Sequence, residues 1–127
     1  MSNERDALDH FGRFLTEYLR DAVIIHFDRL AASFWKAPGL QSLQVDLATL
    51  PSEHLAVARR ALVTGTDAAV HDFLFKLQEQ ADFDNRIQLT VDGIDIVAAS
   101  DGIDGEAYSE DGWYARFSAF GETPDPA

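Results

Sequence analysis

The residues able to do chemistry fall in two places. The first is His71-Asp72, an adjacent pair of the kind that holds a divalent metal in helical phosphohydrolases, with His26 and His54 upstream as further nitrogen donors. A metal-dependent hydrolase built on His71 and Asp72 needs another aspartate from a later helix, whereas here the chain changes character after Asp82. The competing reading is a surface pair near a helix N-terminus, where the dipole favours a carboxylate.

The second place is the run Asp101, Asp104, Glu106, Glu110 and Asp111. Carboxylates this dense suit calcium or magnesium, but an EF-hand loop wants oxygen side chains at its third and fifth positions, where this run has Ile103 and Gly105. Asp-Gly pairs at 101-102, 104-105 and 111-112 read equally well as tight reversals in a solvated loop. Ser100, Ser109 and Ser118 have no strand-to-helix elbow, and no histidine follows His71, so serine-histidine chemistry finds no base there. The glycines at 93, 102, 105 and 112 lack phosphate-loop spacing in a segment whose charge repels phosphate. No catalytic residue and no cofactor is assigned. Either a non-enzymatic protein or a small metal-dependent hydrolase using His71 and Asp72 or the 101–111 loop fits these residues.

Charge separates the classes further. Of a net −12, residues 1–81 carry −3, from eleven acids and eight bases, while residues 82–127 carry −9, from eleven acids and two bases. A field of that sign disfavours nucleic acid and anionic lipid, and attracts a basic protein. Cysteine is absent, which removes disulfides and thiolate chemistry and suits a reducing compartment. Residues 1–20 are charged every few positions, and the apolar run Ala22–Ile25 is far too short for a bilayer, so the expected location is cytoplasmic.

The elements that must position these groups follow from periodicity. Leu8, Phe11, Leu15, Leu19, Ala22, His26, Leu30 and Phe34 repeat at helical spacing, predicting helix over about 4–35 with a bend or break near Arg20–Ala22. Pro38-Gly39 ends it. Leu40, Leu43, Leu47 and Leu50 predict a short third helix, and Leu55, Ala58 and Leu62 a fourth that opens at Pro51 and closes at Gly65. Val70, Phe73, Leu74 and Leu77 predict a fifth. After Asp82 the period becomes alternating: Ile87, Leu89 and Val91, the turn Asp92-Gly93, then Ile94, Ile96 and Ala98 predict a hairpin, and 113–120 a third strand.

The expected architecture is therefore one α+β domain, with five helices over about 4–81, a three-stranded antiparallel meander over about 86–120, and a frayed tail at 122–127. In such a meander Trp113 and Phe117 pack on a helix while Tyr114 and Phe120 stay exposed beside the acidic loop. The functional expectation is a small acidic binding protein of bacterial type, resembling an immunity or inhibitor protein in charge and size alone. It would dock a basic partner through Asp101, Asp104, Glu106, Glu110, Asp111, Tyr114 and Phe120, with a homodimer through the exposed sheet face or a regulatory role in a larger assembly as further readings.

Overall fold

The computed structural model describes residues 3–84 and 86–121, so the expected frayed tail at 122–127 lies outside the described residues. The architecture is predominantly helical, not the five helices and three-stranded meander expected. Helix α1 (Asn3–Leu15) continues through a π-helical turn, Thr16–Arg20, directly into α2 (Asp21–Ala31). The expected break is thus an extra residue accommodated in a continuous helix, with the Asp21 amide donating to the Thr16 carbonyl five positions back. Residues 3–31 span about 43 Å at helical rise.

At the end of the π turn two charged side chains enter the buried face. Arg20 and Asp21 are buried beside Ile24, Phe27 and Leu30, while Leu19, Ala22 and His26 of the anticipated stripe face outward. A short 3-10 turn, Pro38–Leu40, leads into α3 (Gln41–Ala48). There the buried residue is Gln44, not the leucines: its Oε1 accepts from the Trp35 amide at 2.9 Å and its Nε2 donates to the Trp35 carbonyl at 3.0 Å. One amide side chain satisfies both backbone groups of the loop, which is why it can be buried without cost in lost hydrogen bonds.

The expected fourth and fifth helices are a single helix, α4 (Ser52–Phe83). Gly65 does not stop it, and the Thr66 hydroxyl donates back to the Leu62 carbonyl at 2.8 Å within the same helix. Val63, Val70, Leu74 and Leu77 form its buried line.

The hairpin forms at Asp92-Gly93, both with positive φ as a type I′ turn requires. Its strands, β1 (Thr90–Val91) and β2 (Ile94–Asp95), are two residues each, pairing Thr90 with Asp95 and Val91 with Ile94. Alternation stops there because Asp95 Oδ1 accepts from the amides of Val97 and Ala98 and winds the chain into a turn. Ile96 and Val97, although adjacent, are then both buried.

The predicted third strand is instead a short helix, α5 (Trp113–Phe117), and this overturns the meander. Neighbouring Trp113 and Tyr114 are both 0% exposed, which a strand with one covered face cannot achieve. The indole lies on α1 where a Cβ of Gly12 would be, with Phe11 edge-on at 6.0 Å. Tertiary packing of a large aromatic onto a glycine outweighs the β propensity of the Trp-Tyr-Phe segment. The core so formed joins Ala7, Leu8 and Leu15 of α1 and Val70, Leu74 and Leu77 of α4 to Ile96, Val97, Ile103, Ala107, Trp113 and Tyr114.

Candidate functional site

The acidic segment is stitched to the helices at several points, and these fix which carboxylates remain outward. Glu106 accepts from Arg5 at 3.1 and 3.4 Å and from the Ser100 hydroxyl at 2.7 Å. Asp9 on α1 sits between Arg5 and Arg116, which forks onto its two oxygens at 2.8 and 3.0 Å. The Arg116 hydrogen bonds hold the Asp9 carboxyl below its ordinary range, with Arg5 adding to the effect. Pairing pushes both guanidinium groups up, Arg5 chiefly through its hydrogen bond to Glu106 and Arg116 through that to Asp9. Around this network lies a cleft of about 550 Å³, walled by α1 and the 105–116 segment.

Of the predicted contact residues, Asp101, Glu110 and Asp111 are exposed, whereas Asp104 and Glu106 are half-buried and turned to internal partners. Tyr114 is withdrawn altogether. It is buried with its ring 4.1 Å from the Arg20 guanidinium carbon, and burial pushes its hydroxyl well above the usual tyrosine range. Phe120 is half-buried, its ring 5.5 Å from Arg59. The anticipated pair of exposed aromatics beside the loop therefore does not form.

His71 is flanked on both ring nitrogens: Nδ1 lies 3.2 Å from Asp72 and Nε2 3.3 Å from Asp104. Among the described residues no three metal-type ligands converge. His26 stacks at 5.6 Å from Trp35, far along the chain from this group.

Two features lie outside the site residues singled out from the sequence. One is a buried polar cluster beneath the C-terminal segment. Arg20 donates to both oxygens of Asp67, at 2.7 and 3.2 Å, to the Ser118 hydroxyl at 3.2 Å and to the Gly121 carbonyl. Asp21 accepts from the Ser118 hydroxyl at 2.6 Å and the Ala119 amide at 2.8 Å. Tyr108 donates to the Asp67 carbonyl at 3.2 Å. Its sequence trace is the interruption of an apolar stripe by Arg20-Asp21. The cluster clamps residues 118–121 to the π turn.

The other is an apolar groove on the uncovered side of the helices. Three surface depressions of about 210, 290 and 310 Å³ adjoin along it. The first two share Leu15 and Leu19, and the last two share Val23. Phe14, Tyr18 and Phe73 stand over the groove at 59%, 69% and 62% exposure. Comparison with protein-family models, with curated proteins and with solved structures found no match.

Proposed function

We propose that the chain is a small acidic binding protein, of inhibitor or immunity type, that docks a basic protein partner on its C-terminal segment. What supports the reading is how internal pairing distributes the charge. Arg5, Arg13, Arg20, Arg59, Lys76 and Arg116 are each engaged by an acid of the same chain. The excess carboxylates, Asp101, Glu110 and Asp111 among them, are left facing solvent on a segment anchored by Trp113. A fixed, outward negative field speeds encounter with a cationic surface by about 10- to 1,000-fold and is screened by salt.

This differs from the sequence expectation in its contact set: Asp101, Glu110 and Asp111 form the centre, Asp104 and Glu106 hold the scaffold, and Tyr114 takes no part. The test begins with chemical cross-linking in cells and identification of the captured protein. That protein carries a basic surface, and changing Asp101, Glu110 and Asp111 to the neutral amides lowers the low-salt association rate at least about tenfold. An acidic partner, or an association rate unaltered by those changes, overturns the proposal.

A further inference from the structure

The cleft between α1 and the 105–116 segment holds charged groups that its internal contacts leave only partly paired. A guanidinium offers five N–H donors. Arg5 directs three hydrogen bonds to Asp9 and Glu106, and Arg116 directs three to Asp9 and the Asp111 carbonyl. Each therefore keeps at least two N–H groups without an acceptor among the described residues. The Asp111 carboxylate lines the same cleft, is exposed, and accepts no hydrogen bond from a described residue. Open donors on cations and an open anionic acceptor thus meet in one cavity of about 550 Å³, inside the range of about 300–1,000 Å³ that takes small molecules. The walls are set before anything binds. The Trp113 and Tyr114 amides donate to the Glu106 and Ala107 carbonyls at 2.9 and 3.1 Å, and a Cβ on Gly112 would overlap the Tyr108 carbonyl. Between them Ser109, also in the wall, holds a φ of 87°, a strained value for a residue with a side chain and one that persists only where the surroundings enforce it.

Charge selects the ligand. An anion could use the open guanidinium donors, but it must approach a chain of net −12. A cation could pair with Asp111, but it would face two guanidinium groups. A small molecule that carries both a carboxylate and an ammonium has no net charge and meets neither obstacle. The two groups must also lie close together, because Arg116 Nε donates to the Asp111 carbonyl at 2.7 Å and so sets the cationic and anionic sides of the cleft next to each other. We propose that this cleft binds an α-amino acid, its carboxylate on the open N–H groups of Arg5 and Arg116 and its ammonium on Asp111. Asp9 is then a positioning residue: by accepting from both guanidinium groups it holds them side by side, where one ligand carboxylate reaches both.

The proposal is independent of the basic-partner reading and shares only Asp111 with it. Calorimetric titration of the full chain with the standard amino acids finds at least one that binds with a Kd of about 1 mM or tighter. The N-acetyl and C-amide derivatives of that amino acid, each lacking one charge, bind at least about tenfold more weakly. Asp111→Asn and Arg116→Lys each weaken the same amino acid at least about tenfold while keeping the wild-type circular-dichroism spectrum, the second because lysine keeps the charge but not the fork of donors. Asp101→Asn combined with Glu110→Gln, neither of which lines the cleft, leaves amino-acid affinity unaltered whatever it does to association with a basic protein, which separates the two readings. The proposal is overturned if no standard amino acid binds at about 10 mM, or if acetate or methylammonium alone binds as tightly as the amino acid. An affinity that survives both cleft substitutions overturns it as well.

Discussion

Arg20 shows how one side chain can carry a disproportionate part of the fold. Its guanidinium is fully buried, and Asp67, Ser118, Gly121 and the Tyr114 ring surround it. Removing one member of such a cluster strands the others, so Arg20→Ala is expected to lower unfolding free energy by about 3–5 kcal/mol. Urea denaturation measures it, and a loss under about 1 kcal/mol would mean that the C-terminal segment holds without the guanidinium. Asp9 gives a pH prediction of opposite visibility, being near the surface. Its carboxyl is held below the ordinary 3.8, so the stabilisation it brings is present above about pH 4 and is lost as pH falls through the depressed value. The Asp9→Asn variant should be less stable than wild type at pH 7, by about 1 kcal/mol or less given the solvent exposure of the network, and the gap should shrink as pH falls below about 4. A gap that does not shrink on acidification would assign the effect to hydrogen-bond geometry instead. Neither residue was marked out by its type. A charged side chain in a helical stripe reads as surface until its partners, 47 and 101 positions away for Arg20, are known.

At the scale of elements, the two glycines read as punctuation behave oppositely. Gly93 occupies the left-handed region in the hairpin turn, so Gly93→Ala should cost about 1–2 kcal/mol. Gly65 lies inside α4, where added Cβ meets nothing, and Gly65→Ala should gain about 0.4–1 kcal/mol by restricting the unfolded chain. Thermal unfolding at low protein concentration checks both, and a destabilising Gly65→Ala would show that the chain bends there. The hairpin was legible because its turn chemistry is local. The helix-strand distinction at 113–120 was not, because alternation of Trp113, Ala115 and Phe117 fits a strand on paper. What decides it is the vacancy that Gly12 leaves for the indole a hundred residues earlier. Two predicted helices merge into α4, where Thr66 has a cap's chemistry but donates to the preceding turn.

For the whole molecule, helical content and the charge asymmetry could be read directly, while the layer order could not. Amphipathic spacing announces that a helix has an apolar face without saying what covers it. Here the segment after the hairpin covers one side of the helical pair and leaves the aromatics of the other side bare. The division of the loop carboxylates into scaffold and surface depended on Arg5 and His71, neither of which is near them in the chain. Among the described residues no helix is long and apolar enough to cross a membrane.

The clamp between the π turn and residues 118–121 also sets an order of events during synthesis. Arg20 and Asp21 emerge about a hundred residues before Ser118 and Gly121. At about 5–20 residues per second, Arg20 and Asp21 therefore wait about 5–20 s for the groups that close their polar cluster. Through that interval the first helix has both an unsatisfied ionic centre on one side and a bare apolar groove on the other. Its nascent form is thus the state in which this chain most needs shielding from other nascent chains.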